Sequence, residues 1–483
     1  MSDRWEAVIG LEVHAQLLTQ SKMFCGCRAQ YLGRPPNSNT CPVCLGLPGT
    51  LPVMNRAAVE MTIRTALALG CEIPEFTKFD RKNYFYPDLP KGYQISQYDL
   101  PLSRNGCLEF EVGGRVVRAG ITRVHLEEDA GTLHHAGEIH TSAFSLVDLN
   151  RAGVPLMEIV GEPDLRRPEE APAYLAALRQ TLMYLGVNDG NMEEGSLRCD
   201  ANISLRERGS SELGAKVEVK NMNSFRSIQR ALEFELERQS DLLDQGRTIA
   251  QETRGWSELE QVTVSQRSKE EAQEYRYFPE PDLPPLRVAR DYVERLRSEL
   301  PELPRAKRRR LVEAYSLSED QARVISESPA DAAYFEAVVA AGAEPRSAAN
   351  WQVQNLQALC NAAKMRVADC RIPPAALAEL VRLVDQDRVS GAVAKEVLAE
   401  CFASGEAPAH LIASRGLSQV SDEEQLKQLV EQAVAANPKA ASDYQAGNDK
   451  ALNSLVGSVM QASRGKANSK MVGELLRARL PRG

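Results

Sequence analysis

Four stretches of the chain alternate between apolar and polar residues. In residues 196–206 every odd position is apolar and every even position is polar. A period of two is typical of a β-strand with one face in a core and the other carrying polar side chains. Residues 7–17, 121–127 and 215–220 show the same alternation, with Val8 as one apolar residue on a polar face. The pattern therefore predicts strands at all four places.

The polar faces of these strands combine carboxylates with cationic or amide side chains. Neighbouring strands lie about 4.8 Å apart, so carboxylates on adjacent strands repel each other unless a cation lies between them. A hard divalent cation such as Mg²⁺ suits oxygen ligands and often also binds substrate phosphates. The sequence thus predicts a metal site on the sheet, with an ordinary solvated face as the alternative. The residues concerned are Glu12, His14, Gln16, Arg123, His125, Glu127, Arg198, Asp200, Asn202, Lys216, Glu218 and Lys220.

Helical patterns and strand patterns mix in the first part of the chain. Helices are predicted at about 168–184 and at about 224–243. Strands interspersed with a few helices indicate an α+β domain with a largely antiparallel sheet over residues 1–290. The run Glu-Pro-Asp-Leu-Pro-Pro at 280–285 cannot continue a helix or a central strand, so it marks a boundary.

Beyond this boundary the chain is predicted to be helical. We expect an all-α helical domain at 291–405 and, after a looser run near 403–408, a small all-α tail domain at 410–483. Ser318 with Gln321, and Ser421 with Glu424, have the spacing of a capping box at a helix start.

Length and composition indicate a globular protein of about three domains. The 483 residues contain no run of 18 apolar positions, and no signal peptide is recognised at the start, so we expect a cytoplasmic protein. The ten cysteines are then expected to be thiols or metal ligands.

The net charge of −8 gives no general attraction for nucleic acid, but the charge is unevenly distributed. Residues 450–483 contain seven Lys and Arg and one Glu, a balance of +6. Such a tail is compatible with contacts to a phosphate backbone, and solvated helix faces are the alternative. The run Arg308 to Arg310 is interpreted as a helix face, with a patch that binds nucleic acid as the alternative.

Two closely spaced cysteine pairs predict a zinc site. Cys25 and Cys27 are separated by thirteen residues from the second pair, Cys41 and Cys44. Tetrahedral Zn²⁺ binds four such thiolates, and a site filled by cysteines alone favours a structural role over a catalytic one. Reduced thiols without metal are the alternative.

The common nucleotide-binding and hydrolase motifs are absent from the sequence. Gly465-Lys466 is followed by Ala467, where a Walker A motif needs Ser or Thr. Neither a G-x-G-x-x-G after a strand nor a G-x-S-x-G elbow occurs. A bound nucleotide would therefore be held by the sheet face and by loops such as 80–88 and 276–280, which are rich in cationic and aromatic residues.

Several long runs, in order along the chain, carry a resemblance to a known family. Over essentially its whole length the sequence resembles the B subunits of tRNA-dependent Asp/Glu amidotransferases. Its length leaves no room for the synthetase-like insertion of the archaeal E-type relative, so it is similar to the bacterial type. The runs lie at 8–14, 80–88, 125–131, 147–151, 193–202, 275–282 and 454–468.

The resemblance implies a fold and an activity. The catalytic cradle of the family is similar in fold to glutamine synthetase. The family's protein acts as a kinase that transfers the γ-phosphate of ATP to the side-chain carboxylate of Glu-tRNA(Gln) or Asp-tRNA(Asn), with Mg²⁺ as cofactor. Ammonia then displaces the phosphate and gives the amide. The alternative is a non-catalytic scaffold that binds tRNA.

Carried over by motif, Glu12, His14, Glu127 and Glu158 are expected to bind magnesium, with Asp200 close by as a further catalytic residue. Glu158 comes from the match of Pro-Leu-Met-Glu-Ile-Val and not from alternation. The cationic candidates for phosphate binding, chosen from the faces they occupy, are Lys82, Arg198 and Lys220.

The resemblance also implies partners. No Gly/Ser-rich amidase signature occurs in the chain, so ammonia is expected from a glutaminase A subunit through a channel. A small C subunit would complete a heterotrimer. The helical and tail domains are similar to tRNA-holding elements, and misacylated tRNA is the expected substrate.

Overall fold

The computed structural model describes residues 4–135, 144–268, 275–417, 423–463 and 467–481. The capping box predicted at Ser421 lies outside them. The chain forms two compact units, 1–303 and 304–483. Within the described ranges, no helix is both long enough and apolar enough to cross a membrane.

The first unit contains strands β1–β15 and helices α1–α4. In chain order they are β1 Trp5–Gln16, α1 Arg56–Ala68, β2 Phe76–Thr77, β3 Asp80–Asn83, β4 Tyr93–Ser96, β5 Ser103–Val112, β6 Arg115–Glu128, β7 Thr132–His135, β8 Ser145–Asp148, β9 Pro155–Gly161, α2 Glu170–Tyr184, β10 Leu197–Glu207, β11 Val217–Lys220, α3 Phe225–Asp244, β12 Glu252–Ser257, β13 Val262–Ser268, β14 Phe278–Pro279, β15 Leu286–Arg287 and α4 Arg290–Ser298.

An eight-stranded sheet dominates the described part of this unit, in the order β13-β12-β11-β10-β1-β9-β6-β5. Neighbouring strands run antiparallel except β11 and β12, which are parallel. The predicted α+β class with a largely antiparallel sheet is therefore confirmed. The strands predicted from alternation are found as β1, β6, β10 and β11.

One face of the sheet is buried under helices α1, α2 and α3. The apolar positions of β10, such as Leu197, Ala201 and Ile203, are no more than 1% exposed. The predicted helices are observed as α2 and as α3, whose N-cap Ser224 accepts a hydrogen bond from the Ser227 amide. This packing leaves the opposite, polar face of the sheet for other contacts.

A three-stranded sheet in the order β14-β3-β4 packs close to the polar face, through contacts between β4 and β6. Asp80 in β3 pairs with Ser96 in β4 and with Pro279 in β14. These short strands bring the two aromatic and cationic loops of the sequence, 80–88 and 276–280, together.

The second unit is helical in its described residues. Its α-helices are α5 Pro304–Tyr315, α6 Glu319–Ile325, α7 Pro329–Ala340, α8 Pro345–Asn350, α9 Gln357–Ala362, α10 Pro374–Asp385, α11 Gly391–Ser404, α12 Pro408–Ser414, α13 Glu423–Ala436, α14 Pro438–Gln445, α15 Asp449–Ala462 and α16 Ser469–Arg479, with a π-helix Trp351–Leu356 and a 3₁₀-helix Val367–Asp369.

Two separate apolar cores stabilise these helices. One extends from Leu311 to Ile412 and the other from Leu426 to Leu480. The predicted capping box of Ser318 and Gln321 is present at the start of α6. The division into domains at 1–290, 291–405 and 410–483 stays a prediction.

Candidate active site

A row of polar side chains crosses four adjacent strands on the polar face of the sheet. His14 of β1 is opposite Arg198 of β10 on one side and Glu158 of β9 on the other, and Glu158 is opposite His125 of β6. Facing residues of antiparallel strands have Cβ atoms about 5 Å apart. The register therefore brings together residues that are far apart in the chain.

The side chains of this row meet in a compact group. His14 Nε2 lies 3.6 Å from Glu158 Oε2 and 3.7 Å from Glu127 Oε1. His125 Nε2 approaches the same Glu158 oxygen at 3.3 Å, and Ser96 Oγ donates to Glu127 Oε2 at 3.3 Å. One potential ligand atom from each of His14, Glu127 and Glu158 lies within 4.8 Å of the others.

Burial and mutual charge shape the ionisation of this group. Burial alone would lower the pKa of His14, but Glu158, Glu127 and Asp200 outweigh burial and raise it to about 9. Burial and the neighbouring charge of Glu158 raise the pKa of Glu127. Burial also opposes ionisation of Glu158, yet the two histidines hold its pKa well below the usual value. In the absence of a metal ion, a protonated His14 therefore balances the charge of the carboxylates, and a bound cation would take over this role as the proton leaves.

The group fits a divalent metal ion chemically. Carboxylate oxygens are the preferred ligands of Mg²⁺ and Mn²⁺, whereas an imidazole nitrogen is a better ligand for Zn²⁺, Fe²⁺ and similar transition ions than for Mg²⁺. Of the four residues expected to bind magnesium, His14, Glu127 and Glu158 come together in this group. Glu12 faces Asp200 one row further along, and its Oε1 accepts a hydrogen bond from Asn202 Nδ2 at 2.8 Å.

The residues expected to bind phosphate lie in different surroundings. Lys220 forms ion pairs with Asp200 and with Glu218. Arg198 Nη2 donates to Asp129 Oδ2 at 3.0 Å. Lys82 forms no ion pair within the described ranges, and its Nζ lies 4.8 Å from the ring centroid of Tyr275. Lys82 is therefore the candidate cation with the most freedom to meet a phosphate.

A cavity of about 630 Å³ opens over these side chains. Its volume falls within the range of about 300–1,000 Å³ typical of small-molecule sites. Glu12, His14, Lys82, Glu127, Glu158, Asp200 and Lys220 all line it. Arg198, which is paired with Asp129, is not among the residues that line it.

The catalytic and metal-binding residues carried over by motif leave out two participants in this site. His125, 2% exposed, contacts Glu158, and Asp129, 4% exposed, holds Arg198. The alternation of residues 121–127 already placed His125 on the polar face, so the signal for it existed. Asp129 follows the strand and gives no periodic signal.

The second candidate metal group is formed by four cysteines. One Sγ atom from each of Cys25, Cys27, Cys41 and Cys44 lies within 4.8 Å of the others, and the Cys41 and Cys44 sulfurs are 3.8 Å apart. Sulfurs bound to one Zn²⁺ at about 2.3 Å in a tetrahedron are roughly 3.8 Å apart. The four thiols therefore fit a zinc ion in number, type and spacing.

A buried lysine adjoins the cysteines. Lys22 is 0% exposed, and its Nζ donates to Asn39 O at 2.9 Å and lies 3.8 Å from Cys44 Sγ. Contact with Cys25 and the charge of Lys22 lower the pKa of Cys44 to about 5, against the opposing effect of burial. A thiolate at Cys44 gives the buried ammonium a counter-charge.

Two protein-family models match most of the chain. The model described as the GatB/GatE catalytic domain matches residues 7–294, and the model described as the GatB domain matches residues 333–480. Together they include the sheet, the cavity and most of the second unit.

Curated relatives align over nearly the full chain. A protein of Carboxydothermus hydrogenoformans is 52% identical over 478 residues, which are 99% of each chain. One of Moorella thermoacetica is 53% identical over 476 residues (99% of this chain, 100% of the relative), and one of Thermomicrobium roseum is 54% identical over 459 residues (94% of each). All three are named as the B subunit of aspartyl/glutamyl-tRNA(Asn/Gln) amidotransferase.

Proposed function

Because the chain belongs to the GatB/GatE family, we propose that it is the B subunit of a tRNA-dependent amidotransferase, a glutamine-hydrolysing ligase, and that its cavity activates a carboxylate. The substrate is the side chain of Glu-tRNA(Gln) or Asp-tRNA(Asn). One carboxylate oxygen attacks the γ-phosphorus of ATP, the bond to the bridging oxygen breaks, and ADP leaves. Ammonia then attacks the acyl carbon, phosphate leaves, and loss of a proton gives the amide.

The observation that carries this proposal is the pair of buried carboxylates beside two imidazoles. The side chains of Glu127 and Glu158 are 4% and 13% exposed and contact the same histidine, His14. Burying like charges this close together is costly. A scaffold that only binds tRNA has no need for such a group at the floor of a cavity, whereas phosphoryl transfer needs concentrated, fixed charge.

The residues of the cavity have different proposed roles. A magnesium ion held by Glu127 and Glu158, with His14 beside them, would neutralise charge on the transferred phosphate. Lys82 is free to pair with a phosphate oxygen, and the cation–π contact with Tyr275 keeps it over the cavity. His125 fixes the orientation of the Glu158 carboxylate from the neighbouring strand.

The four cysteines are proposed to hold a structural Zn²⁺ that ties the loop between β1 and α1 together. All four ligand positions are filled by protein, so no position remains for a substrate. The zinc would therefore contribute to the fold of this loop and not to the chemistry.

Further parts of the proposal concern partners. Ammonia is supplied by an amidase-type A subunit, and a small C subunit completes a heterotrimer. The tail domain, 410–483, contacts tRNA. Since misacylated tRNA is the substrate, the complex works in the cytoplasm.

The decisive experiment measures ATP hydrolysis that depends on misacylated tRNA, in a complex reconstituted with the A and C subunits. Glu127→Gln and Glu158→Gln are each expected to lower this activity roughly 100-fold, about 2.7 kcal/mol in the barrier. Binding of tRNA is expected to survive. Glu207→Gln is the matched control, because Glu207 lies on β10 but is exposed and pairs with Arg4. Unchanged turnover in both variants would favour the non-catalytic scaffold.

A further inference from the structure

The mouth of the cavity carries aromatic side chains that are unusually exposed. Phe85 is 81% exposed, Tyr86 is 56% exposed and Tyr98 is 41% exposed, and all three line the cavity. Fully burying a Phe side chain is favourable by about 1.5–3 kcal/mol. Because Phe85 is mostly exposed, the fold does not gain most of this stabilisation. Several exposed rings at one opening are more informative than single exposed apolar residues, because clustered rings mark a contact surface.

The exposed ring of Phe85 is nevertheless held in place. A Cβ atom added at Gly92 would lie 3.2 Å and 3.3 Å from two carbons of this ring, so the ring lies against the Gly92 backbone. Gly92 has a φ of +75°, which favours glycine. Backbone hydrogen bonds from Tyr84 N to Gly92 O and from Leu89 N to Tyr86 O close this turn. One face of the ring is supported and the rest of the ring is free to stack.

Cationic side chains accompany the rings. Lys216 lines the same cavity, is exposed, and forms no ion pair within the described ranges. Lys82 lies over Tyr275, and Tyr98 stacks on Tyr277 with centroids 4.1 Å apart. Rings interleaved with cations are typical of surfaces that bind unpaired nucleotides, since the bases stack and the phosphates pair with Lys.

We propose that Phe85 and Tyr86 form a stacking platform for the unpaired 3′-terminal base of the tRNA. This inference rests on the proposed function, and it names the part of the substrate that this rim binds. The reacting amino acid is esterified to the terminal ribose, so its carboxylate and the terminal base enter together. With the side-chain carboxylate of the amino acid reaching the phosphates of ATP above His14, Glu127 and Glu158 on the floor, the base lies at the open rim.

The test uses a tRNA with 2-aminopurine at its 3′-terminal position and the complex reconstituted with the A and C subunits. Stacking on an aromatic ring quenches the fluorescence of this base. The wild-type complex is expected to quench it, and Phe85→Trp is expected to preserve quenching. Phe85→Leu keeps an apolar side chain but removes the ring, so we expect quenching to be lost and the Kd for tRNA to rise roughly tenfold. Leu259→Ala is the matched control, because Leu259 is 94% exposed on the turn between β12 and β13. It should change neither the quenching nor the Kd for tRNA.

Three results would overturn the platform. Full quenching by Phe85→Leu would show that the base does not stack there. If Phe85→Leu raised the KM for ATP and left the Kd for tRNA unchanged, the ring would be assigned to the adenine of ATP. If Phe85→Leu no longer assembled with the A and C subunits in gel filtration, the ring would be assigned to a contact with a partner protein of the complex. A wild-type complex that quenches the probe but shows no ATP-dependent amidation would refute the proposed function and leave the platform standing.

Discussion

Among single residues, Lys22 has a role that only the folded chain reveals. It is fully buried, and within the described ranges its Nζ contacts Asn39 O and Cys44 Sγ. A buried ammonium group needs a counter-charge. Four thiolates around one Zn²⁺ carry an excess of negative charge, which Lys22 would balance.

Replacing Lys22 is therefore expected to weaken zinc binding. In Lys22→Met the excess negative charge of the thiolates loses the cation that lies 3.8 Å from Cys44 Sγ, and we expect zinc affinity to fall by roughly 10- to 100-fold. Competition with a chromophoric chelator at constant pH measures this affinity in the purified full-length chain.

Two variants control for general damage to the fold. Lys22→Arg keeps the charge and should retain most of the affinity. Lys78→Met removes another largely buried lysine, one that pairs with Asp80 and Asp99, and should leave zinc binding unchanged. Equal zinc affinity in Lys22→Met and the wild type, or less than half an equivalent of zinc in the wild type, would refute this account of the cysteine group.

Between elements, an ion pair ties β3 to the segment after β14. The Arg81 guanidinium donates to both Glu280 oxygens, at 2.7 and 2.8 Å, and the Glu280 side chain is 0% exposed. Arg81 also lies 4.2 Å from the ring centroid of Tyr93. A paired, two-point contact of this kind fixes geometry as well as adding energy. It holds Tyr275 and Tyr277 near the cavity through the chain that leads into β14.

Breaking this pair is expected to loosen β14. Arg81→Met leaves the Glu280 carboxylate buried and without its main cation, at a cost of about 3 kcal/mol. Hydrogen exchange in residues 278–288 should become faster by the corresponding factor of roughly 100. The double variant Arg81→Met/Glu280→Met should recover most of the protection, because no uncompensated charge remains.

The exposed pair of Arg104 and Glu72, 59% and 66% exposed, offers the comparison. Arg104→Met should have little effect on hydrogen exchange near β5, since exposed ion pairs contribute about 1 kcal/mol or less to stability. If hydrogen exchange in residues 278–288 stayed as slow in Arg81→Met as in the wild type, contacts other than this ion pair would hold β14.

For the whole molecule, the distribution of charge is the feature that bears on tRNA. The net charge is −8, yet the tail from 450 to 483 has a balance of +6. Lys450, Lys470 and Arg477 are exposed on the helices α15 and α16. Arg479 pairs with Glu431 and so contributes less. The remaining basic residues of the tail lie outside the described ranges.

Removing the whole tail domain, 410–483, is expected to weaken binding of tRNA by the complex and to leave the glutaminase activity of the A subunit intact. The triple variant Lys450→Ser/Lys470→Ser/Arg477→Ser keeps the domain and removes only charge. If each cation neutralises one phosphate, the slope of log K against log salt should decrease by about 2 to 3. A gel-shift titration at several salt concentrations measures both effects. Equal affinity in the deletion and the wild type would contradict a role of the tail in binding tRNA.

The sequence by itself determined the class of the fold and part of its elements, namely the strands β1, β6, β10 and β11 and the helices α2 and α3. Alternation along 7–17 and 196–206 was sufficient to predict β1 and β10, since a strand with one buried face needs apolar residues at every second position. The same alternation identified Glu12, His14, Glu127 and Asp200 as residues of a polar sheet face. Six long motifs and the tail run identified the family, which the comparisons confirm.

Only the tertiary structure decided which of these side chains meet. Periodicity gives the face of a strand but neither its neighbours nor its register. It is the pairing of β1 with β9, and of β9 with β6, that brings His14, Glu158 and His125 into one row. The same limit explains Asp129 and Lys22, whose partners lie 69 and 22 positions away. Contacts over such separations depend on how the whole chain packs, and no local pattern records them.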